Sequence, residues 1–426
     1  MPEIEKQQLH VVLVGLSHKT ASLEIRERVS FSSQQLPNAL ASLSTRLEGG
    51  VILSTCNRTE IYTVSATPEI ASTEIQEFLR EFHNIDVNHI SQYLYEQFDR
   101  NAVRHLFNVA SGLDSMILGE SEILGQIRNA LTVAANNNTL DTFLSRLFHG
   151  AIRTGRQVRT NTQIGHNPTS TSSAAVKLTQ QILGPLNGIT VMLVGAGEAG
   201  RLVAKALVST GVEEIIIANR THNRSVELAQ SLGGKTITLD DSVGYLNKSD
   251  VVIVATESQR HIYSQNDIEN AAKSRNRRPL FVFDLSVPRN VEPGAGSVDN
   301  VNLFNIDDLS SIAKANIEAR QDYLEDAQSI IDEAVQSFLI WWDSLESMPI
   351  IKALRQQAEL IRKEELKRAM ENIPALSTTE LNIIDSMTQS IVNRLLHNPT
   401  VSLKQSDQTD ALKLAQDLFR LDKNNL

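Results

Sequence analysis

Apolar residues fall into three regimes along the chain. The first is a set of short unbroken runs: HVVLVGL (His10 to Leu16), then Val51 to Leu53, then TEIYTVSA around Ile61 to Val64. Runs of this length without polar alternation predict buried strands. Between them SHKTASLEIRERVSF reads as loop and short helix, and Ser32 to Gln35 opens a helix to about Leu47 that Gly49-Gly50 ends. Strand, helix, strand and strand predict a compact α+β sheet domain. From Ala71 to about Gly165 the pattern becomes mainly helical, through STEIQEFLREFHN, NAVRHLFNVASGL and SEILGQIRNALTVAANNN.

Pro168 and the run Thr169 to Ser173 mark a boundary, and a linking helix, AAVKLTQQIL, stops at Gly184-Pro185. The second regime follows. ITVMLVG, EIIIAN, KTITL, DVVIVAT, PLFVFDL and VNLFNI alternate with helices at about Ala199 to Ser209 and around SVELAQSL. That alternation predicts a doubly wound, largely parallel sheet. The third regime starts after about Asp307 and is almost wholly helical. Leu324, Ala327, Ile331, Ala334, Phe338, Trp341 and Leu345 recur at spacings of three and four, an a/d seam that predicts a long helix with a helical partner. Pro349, Pro374 and Pro399 divide the remainder into shorter helices, one of which carries Leu381, Ile384, Ile391 and Leu395. An intrachain bundle satisfies such a seam; a dimerisation module is the favoured reading, because the first helix is long and apolar along one stripe.

Composition changes this picture little: 41% hydrophobic and 21% charged residues describe an ordinary soluble protein. The net charge of -10 argues against bulk electrostatic binding of nucleic acid. Arg146, Arg153, Arg156 and Arg159 nevertheless share one helical face, suited to phosphates or to plain solvation. A single cysteine excludes an intramolecular disulfide and any cysteine-cluster metal centre, and no metal site is expected. It fits a reducing compartment. No apolar run approaches a membrane span, and MPEIEKQQLH does not read as a secretory signal, so the expected location is the cytoplasm.

Three stretches carry candidate chemistry. In VILSTCNRTEIY the lone thiol, Cys56, follows a strand, with Arg58 two residues on to favour the thiolate; the ordinary alternative is a small buried hydrophobe. In VMLVGAGEAG a strand runs into G-x-G-x-x-G and a helix. Gly195 allows the tight turn, Gly197 the approach of a pyrophosphate, and Gly200 close helix packing. The next strand ends in Ala218-Asn219-Arg220-Thr221 without the carboxylate that binds a ribose 2′-hydroxyl. Arg220 and Asn219 there favour a 2′-phosphate, hence NADPH, against a purely structural Arg220. The third stretch runs from Ser111 to Gln126. Ser115, Glu120 and Gln126 there suit an amino-acid substrate, and His105 assists proton transfer or tunes the thiol if it approaches Cys56. Helix capping by Asp114 or Ser115 is the plain alternative.

Taken in order, GLSHKTA (Gly15 to Ala21), STCNRTEIY (Ser54 to Tyr62), RHLFNVASGLDSMILGESEILGQI (Arg104 to Ile127) and VGAGEAG (Val194 to Gly200) closely resemble the glutamyl-tRNA reductase family, across essentially the whole chain. The resemblance implies an α/β multidomain protein: an N-terminal α+β catalytic domain over 1–165, a Rossmann-type NADP-binding domain over 166–307, and an all-helical dimerisation domain over 308–426 with a long connecting helix. It further implies that Cys56 attacks glutamyl-tRNA(Glu), releasing tRNA and leaving a thioester that NADPH reduces to glutamate-1-semialdehyde, the first step of five-carbon tetrapyrrole synthesis. Substrate contacts carry over onto Thr55, Cys56, Asn57, Arg58, Ser115, Glu120, Ser121, Glu122 and Gln126, with Arg58 suited to the glutamate carboxylate. Many members have proline or aspartate where Ser121 stands. His105 matches a histidine important for activity, and Gly195, Ala196, Gly197, Glu198, Ala199 and Gly200 match the NADP loop. A homodimer and transfer of the aldehyde to glutamate-1-semialdehyde aminomutase are also implied. Two alternatives stand beside this reading: an NADP-dependent, thioester-forming aldehyde dehydrogenase or reductase acting on a free small molecule, and a non-catalytic NADP-binding dimer that senses redox state through Cys56.

Overall fold

Both sets of short apolar runs become sheets, and the two sheets are built differently. A computed structural model describes residues 9–85, 90–116, 119, 122–162, 164, 171–195, 198–309, 321–371, 373, 377–405 and 409–421. The chain divides into two compact units, Met1–Asp332 and Glu333–Leu426.

In the first unit, β1 (His10–Ser17), β2 (Val51–Ser54), β3 (Arg58–Ser65) and β4 (Tyr95–Phe98) form an antiparallel sheet in the order β2-β3-β1-β4. One face, with Val12, Val14, Leu16, Ile52 and Ile61, packs on α2 (Leu36–Leu43) and α3 (Pro68–His83) through Leu40, Leu43, Ile75 and Phe78. The short α1 (Leu23–Arg28) leads into this layer. Helices α4 (Asp99–Ser111), α5 (Glu122–Asn136) and α6 (Thr142–Asn161) contact the same sheet, and Tyr62 meets Phe148 of α6 edge-on at 5.3 Å. Burial on both faces explains why β1 reads as continuous apolar sequence rather than as alternation. β4 adds a short strand to a region that is mainly helical, as expected. YEQF is too short to reveal its period, and its pairing with Val12 to Gly15 of β1 decides its form.

After α7 (Thr171–Leu183), six parallel strands follow: β5 (Thr190–Val194), β6 (Glu214–Asn219), β7 (Lys235–Thr238), β8 (Val251–Val254), β9 (Leu280–Asp284) and β10 (Val301–Asn305). Their order is β10-β9-β8-β5-β6-β7, so the winding reverses between β5 and β8. Val191, Leu193, Ile215, Ile217, Val251 and Ile253 face α8 (Glu198–Val208) and α9 (His222–Leu232). The alternate residues Met192, Val194, Ile216, Val252 and Val254 pack with Ile268 and Ala271 of α11 (Gln265–Lys273). Sequence periodicity missed that helix and its Ser264–Asp267 capping box, and also missed the short α10 (Ser242–Tyr245). Residues 165–170, which hold Pro168, lie outside those described, and the helix expected from Ala174 begins at Thr171.

The remaining elements are α12 (Gln321–Glu371), α13 (Thr378–Gln405) and α14 (Thr409–Phe419). Of the three prolines expected to divide helices, Pro374 lies outside the described residues and the other two end none. α12 continues through position 349 for 51 residues, and Pro399 lies inside α13. A proline inside a helix costs about 3 kcal/mol. Just beyond position 349, Ile350, Ile351 and Leu354 join Leu403, Leu412 and Ala415 in a core whose burial exceeds that cost. In the predicted seam Ala327, Ile331 and Phe338 are buried, but Val335 replaces Ala334 as the buried residue of its turn. Among the described residues, no helix is long and apolar enough to cross a membrane.

Candidate active site

Cys56 lies in the hairpin turn that joins β2 to β3. Ser54 pairs with Thr59 across the hairpin, and the Thr55 N–H donates to the Arg58 carbonyl at 2.8 Å. The Thr55 hydroxyl accepts the N–H groups of Asn57 at 3.1 Å and Arg58 at 3.2 Å, which closes the turn from inside. Cys56 and Asn57 thereby occupy the two central positions. Cys56 is outside any disulfide and half-buried, while Asn57 and Arg58 are buried. The His18 N–H donates to the Asn57 carbonyl at 2.8 Å, and the Arg26 guanidinium donates to the carbonyl of Cys56.

Behind the turn sits a buried charge cluster. Arg58 is 1% exposed and Glu60 is 0% exposed, with 2.7 Å between Nη1 and Oε1. Glu60 also accepts from Tyr62 at 2.7 Å, Tyr95 at 2.5 Å and His105 Nε2 at 2.7 Å. Burial opposes the charge on Glu60, but the Arg58 guanidinium and the His105 ring hold its carboxyl far below the ordinary range. Burial and the Glu60 charge push the phenols of Tyr62 and Tyr95 well up. The second arm of Arg58 donates to Asp114, through both its carbonyl and, at 3.1 Å, its carboxylate; Lys19 pairs with the same carboxylate. Burial opposes the Asp114 charge as well, yet Arg58 and Lys19 keep its carboxyl below the ordinary value. Since an ionised Glu60 only accepts, the Nε2 of His105 carries the proton of this hydrogen bond.

The second group lies where the parallel sheet reverses its winding, the crevice in which such sheets take ligands. Gly195 has φ +92°, and a Cβ there would meet the Ala255 carbonyl oxygen at 2.3 Å, so the turn requires glycine. Gly200 lies against Ala255, where a Cβ would come within 2.4 Å of the alanine side chain, and the N-terminus of α8 is thereby seated at the crevice. At the end of β6, Asn219 Nδ2 donates to the Thr221 carbonyl at 3.3 Å and Arg220 is exposed. An exposed arginine at a strand end whose residues 218–221 include no carboxylate suits a phosphate.

Three families match consecutive parts of the chain: "Glutamyl-tRNAGlu reductase, N-terminal domain" over 14–162, "Shikimate / quinate 5-dehydrogenase" over 177–312, and "Glutamyl-tRNAGlu reductase, dimerisation domain" over 326–421. The chain is 38% identical over 425 residues to the glutamyl-tRNA reductase of Thermodesulfovibrio yellowstonii, covering 97% of this chain and 99% of that protein. It is 39% identical over 419 residues to the one from Pelobacter propionicus, covering 96% of each. The chain belongs to the glutamyl-tRNA reductase family. Among solved structures, the glutamyl-tRNA reductase from Methanopyrus kandleri is 34% identical, with 97% of this chain and 98% of that one covered and a TM-score of 0.47. The family is one of oxidoreductases, and the middle part of the chain has the fold of NAD(P)-binding dehydrogenases.

Within this family frame, the residues singled out by sequence fall into two groups. Thr55, Cys56, Asn57 and Arg58 form the hairpin turn, and the Arg58–Asp114 bonds bring Ser115 next to it. Glu122 and Gln126 lie at the start of α5, both half-buried, whereas Glu120 and Ser121 fall outside the described residues. His105, on α4, joins Glu60. Gly195, Gly200, Asn219 and Arg220 make the second group; Ala196 and Gly197 are outside the described residues, and Glu198 and Ala199 start α8. One expectation changes. The Arg58 fork, read as open to a substrate carboxylate, is filled by Glu60 and Asp114, because a guanidinium buried this deeply needs counter-charges. Sequence reasoning gave no role to Glu60, Tyr62, Tyr95, Lys19 or Arg26. One signal was present: Glu60 interrupts a strand that is otherwise suited to full burial, and Gly15 is its cross-strand partner. A Cβ on Gly15 would meet Glu60 Cγ at 2.8 Å, so the glycine makes room for the carboxylate.

Proposed function

We propose that this chain reduces the glutamyl group of glutamyl-tRNA(Glu) to glutamate-1-semialdehyde with NADPH, through a thioester on Cys56, as the first step of five-carbon tetrapyrrole synthesis. The observation that carries the reading is the half-buried Cys56 at the head of a buried polar cradle. Two atoms of that cradle, Asn57 Oδ1 and Ser115 Oγ, are buried with no hydrogen-bond partner among the described residues. Buried polar atoms left over in this way are costly unless a ligand completes them. The Cys56 thiolate attacks the ester carbon; the carbon–oxygen bond to tRNA breaks, and the leaving ribose oxygen takes up a proton. NADPH, when bound, supplies the hydride that reduces the thioester carbon, so that the carbon–sulfur bond breaks and thiolate, aldehyde and NADP+ result.

The chain's own residues do the rest. Thr55 holds the turn that presents the thiol, and Glu60 fixes the orientation of the His105 ring through Nε2. A substrate carboxylate or ammonium reaches the Arg58–Asp114 pair by exchanging with one of its members. Ser115, Glu120, Ser121, Glu122 and Gln126 complete the substrate side. Gly195 to Gly200 and Arg220 serve the cofactor, with Arg220 selecting its 2′-phosphate. Arg146, Arg153 and Arg156, exposed along α6, suit the tRNA backbone. Homodimer formation is supported by Ile383, Met387, Ile391 and Leu395, four exposed apolar residues spaced by four along α13. We place the catalytic, NADP-binding and dimerisation domains at 1–165, 166–307 and 308–426, the enzyme in the cytoplasm, and the aldehyde in transfer to glutamate-1-semialdehyde aminomutase. The test is Cys56→Ser, assayed with glutamyl-tRNA and NADPH. It should abolish semialdehyde formation while NADPH binding and dimer mass stay unchanged; reductase activity in that variant would refute the mechanism.

A further inference from the structure

Arg26 is a basic residue that no part of the chemistry above requires. It is 2% exposed, yet its guanidinium spans two sequence regions that fold as different sheets. Nη1 donates to the carbonyl of Cys56, and Nη2 reaches both carboxylate oxygens of Asp307, at 2.6 and 2.7 Å, just past β10. Its Nε is buried with no partner among the described residues. Stability alone does not favour such a group, because the desolvation of a buried ion commonly exceeds what its pairing returns.

The next residue of α1 makes a parallel connection. Glu27 accepts from the Arg289 backbone N–H at 2.7 Å, from Nε at 2.8 Å and from Nη2 at 3.0 Å. Arg289 belongs to the loop after β9, which the Asp284 carboxylate gathers by accepting the N–H groups of Ser286, Asn290 and Val291. Asn290 ties that loop to the one after β8 through Thr256 and Ser258. Two adjacent side chains of one short helix thus hold the nucleophile's turn against the carboxyl-end loops of the parallel sheet, where a dinucleotide binds.

We propose that Arg26 is a positioning residue that couples the Cys56 turn to the nucleotide-binding half through Asp307, so that the thioester, once formed, is held for reduction. This rests on the thioester reading above. Hydride transfer tolerates little misplacement: a shift of about 1 Å costs roughly a hundredfold. The ester attack needs only the hairpin side and does not depend on Asp307.

The experiment separates the two half-reactions in the full-length protein. Acylation of Cys56 by radiolabelled glutamyl-tRNA is followed without NADPH, and NADPH is then added to the acylated enzyme in a single turnover. Asp307→Asn should leave the acylation rate within about twofold and slow reduction by roughly tenfold to a hundredfold. Asp307→Glu, which keeps the charge, should recover part of the loss, and Arg26→Lys should slow both halves. NADPH affinity and the thermal midpoint, measured in parallel, monitor folding. Reduction at the unsubstituted rate in Asp307→Asn, or equal slowing of both halves in Asp307→Asn and Asp307→Glu alike, would overturn the proposal. Failure of Cys56 to acylate in the unsubstituted enzyme would instead remove the thioester reading, and the role of Arg26 with it.

Discussion

The two sheets of the first unit carry their chemistry in opposite ways. In the antiparallel sheet it is on the strand itself: Arg58, Glu60 and Tyr62 alternate along β3, all buried. In the parallel sheet β5, β8 and β9 are almost wholly apolar, and the candidate cofactor residues Gly195 and Arg220 stand at the carboxyl ends of their strands. The first arrangement costs desolvation and must be saturated to persist; Glu60 accordingly collects four donors. The second leaves the core conventional and tolerates change at its rim. The antiparallel sheet should therefore fail as a structure when its polar residues are altered, and the parallel sheet should fail chiefly as a binding site.

The sharpest way to break this contrast is Glu60→Ala. It leaves the buried Arg58 with Asp114 as its remaining counter-charge and frees His105 and both phenols, so a loss of about 3–5 kcal/mol is expected in urea unfolding followed by far-UV circular dichroism. The pH dependence has a definite sign. The folded carboxyl lies below its ordinary value of 4.5, so its contribution is complete above that pH and drains away as the pH falls toward the folded value. Glu60→Gln should flatten that acid limb. A variant as stable as the parent at pH 7, with an unchanged acid limb, would show that the cluster does not hold the domain together.

Gly195→Ala is the corresponding change in the other sheet. Its φ of +92° and the 2.3 Å approach to the Ala255 carbonyl mean that the turn must deform. Strain of about 1–3 kcal/mol is expected in stability, less than for Glu60→Ala, with NADPH binding by isothermal titration falling at least about tenfold. Loss of binding without the stability cost would point to an obstructed phosphate site rather than a strained turn.

The same contrast explains what was legible in the sequence. The parallel sheet could be read strand by strand, because short apolar runs and turn chemistry alternate there. The Cys56 hairpin was legible as a strand end with a thiol. The buried cluster was not: Glu60 breaks a strand otherwise suited to burial, but nothing local says that Tyr95 and His105, from elements 35 and 45 residues away, will close over it. Arg26 was hidden for a similar reason. Within LEIRER it reads as a solvated helix position, and only the fold brings Cys56 and Asp307 to it, 30 and 281 residues away.

The smallest effect is expected from Arg220→Ala, and it sharpens the comparison most. Arg220 is exposed at the end of β6 and lies outside the apolar core on either face of its sheet, so the unfolding midpoint should not move. The loss should appear in one place only. A charge-assisted contact to a 2′-phosphate is worth roughly tenfold in affinity, so NADPH should weaken by that factor while NADH, which lacks the phosphate, keeps its affinity. Fluorescence titration with both nucleotides reads the ratio directly. Equal weakening of the two would assign Arg220 to the shape of the strand end rather than to cofactor choice, and a fall in stability would contradict the idea that this sheet keeps its chemistry apart from its core.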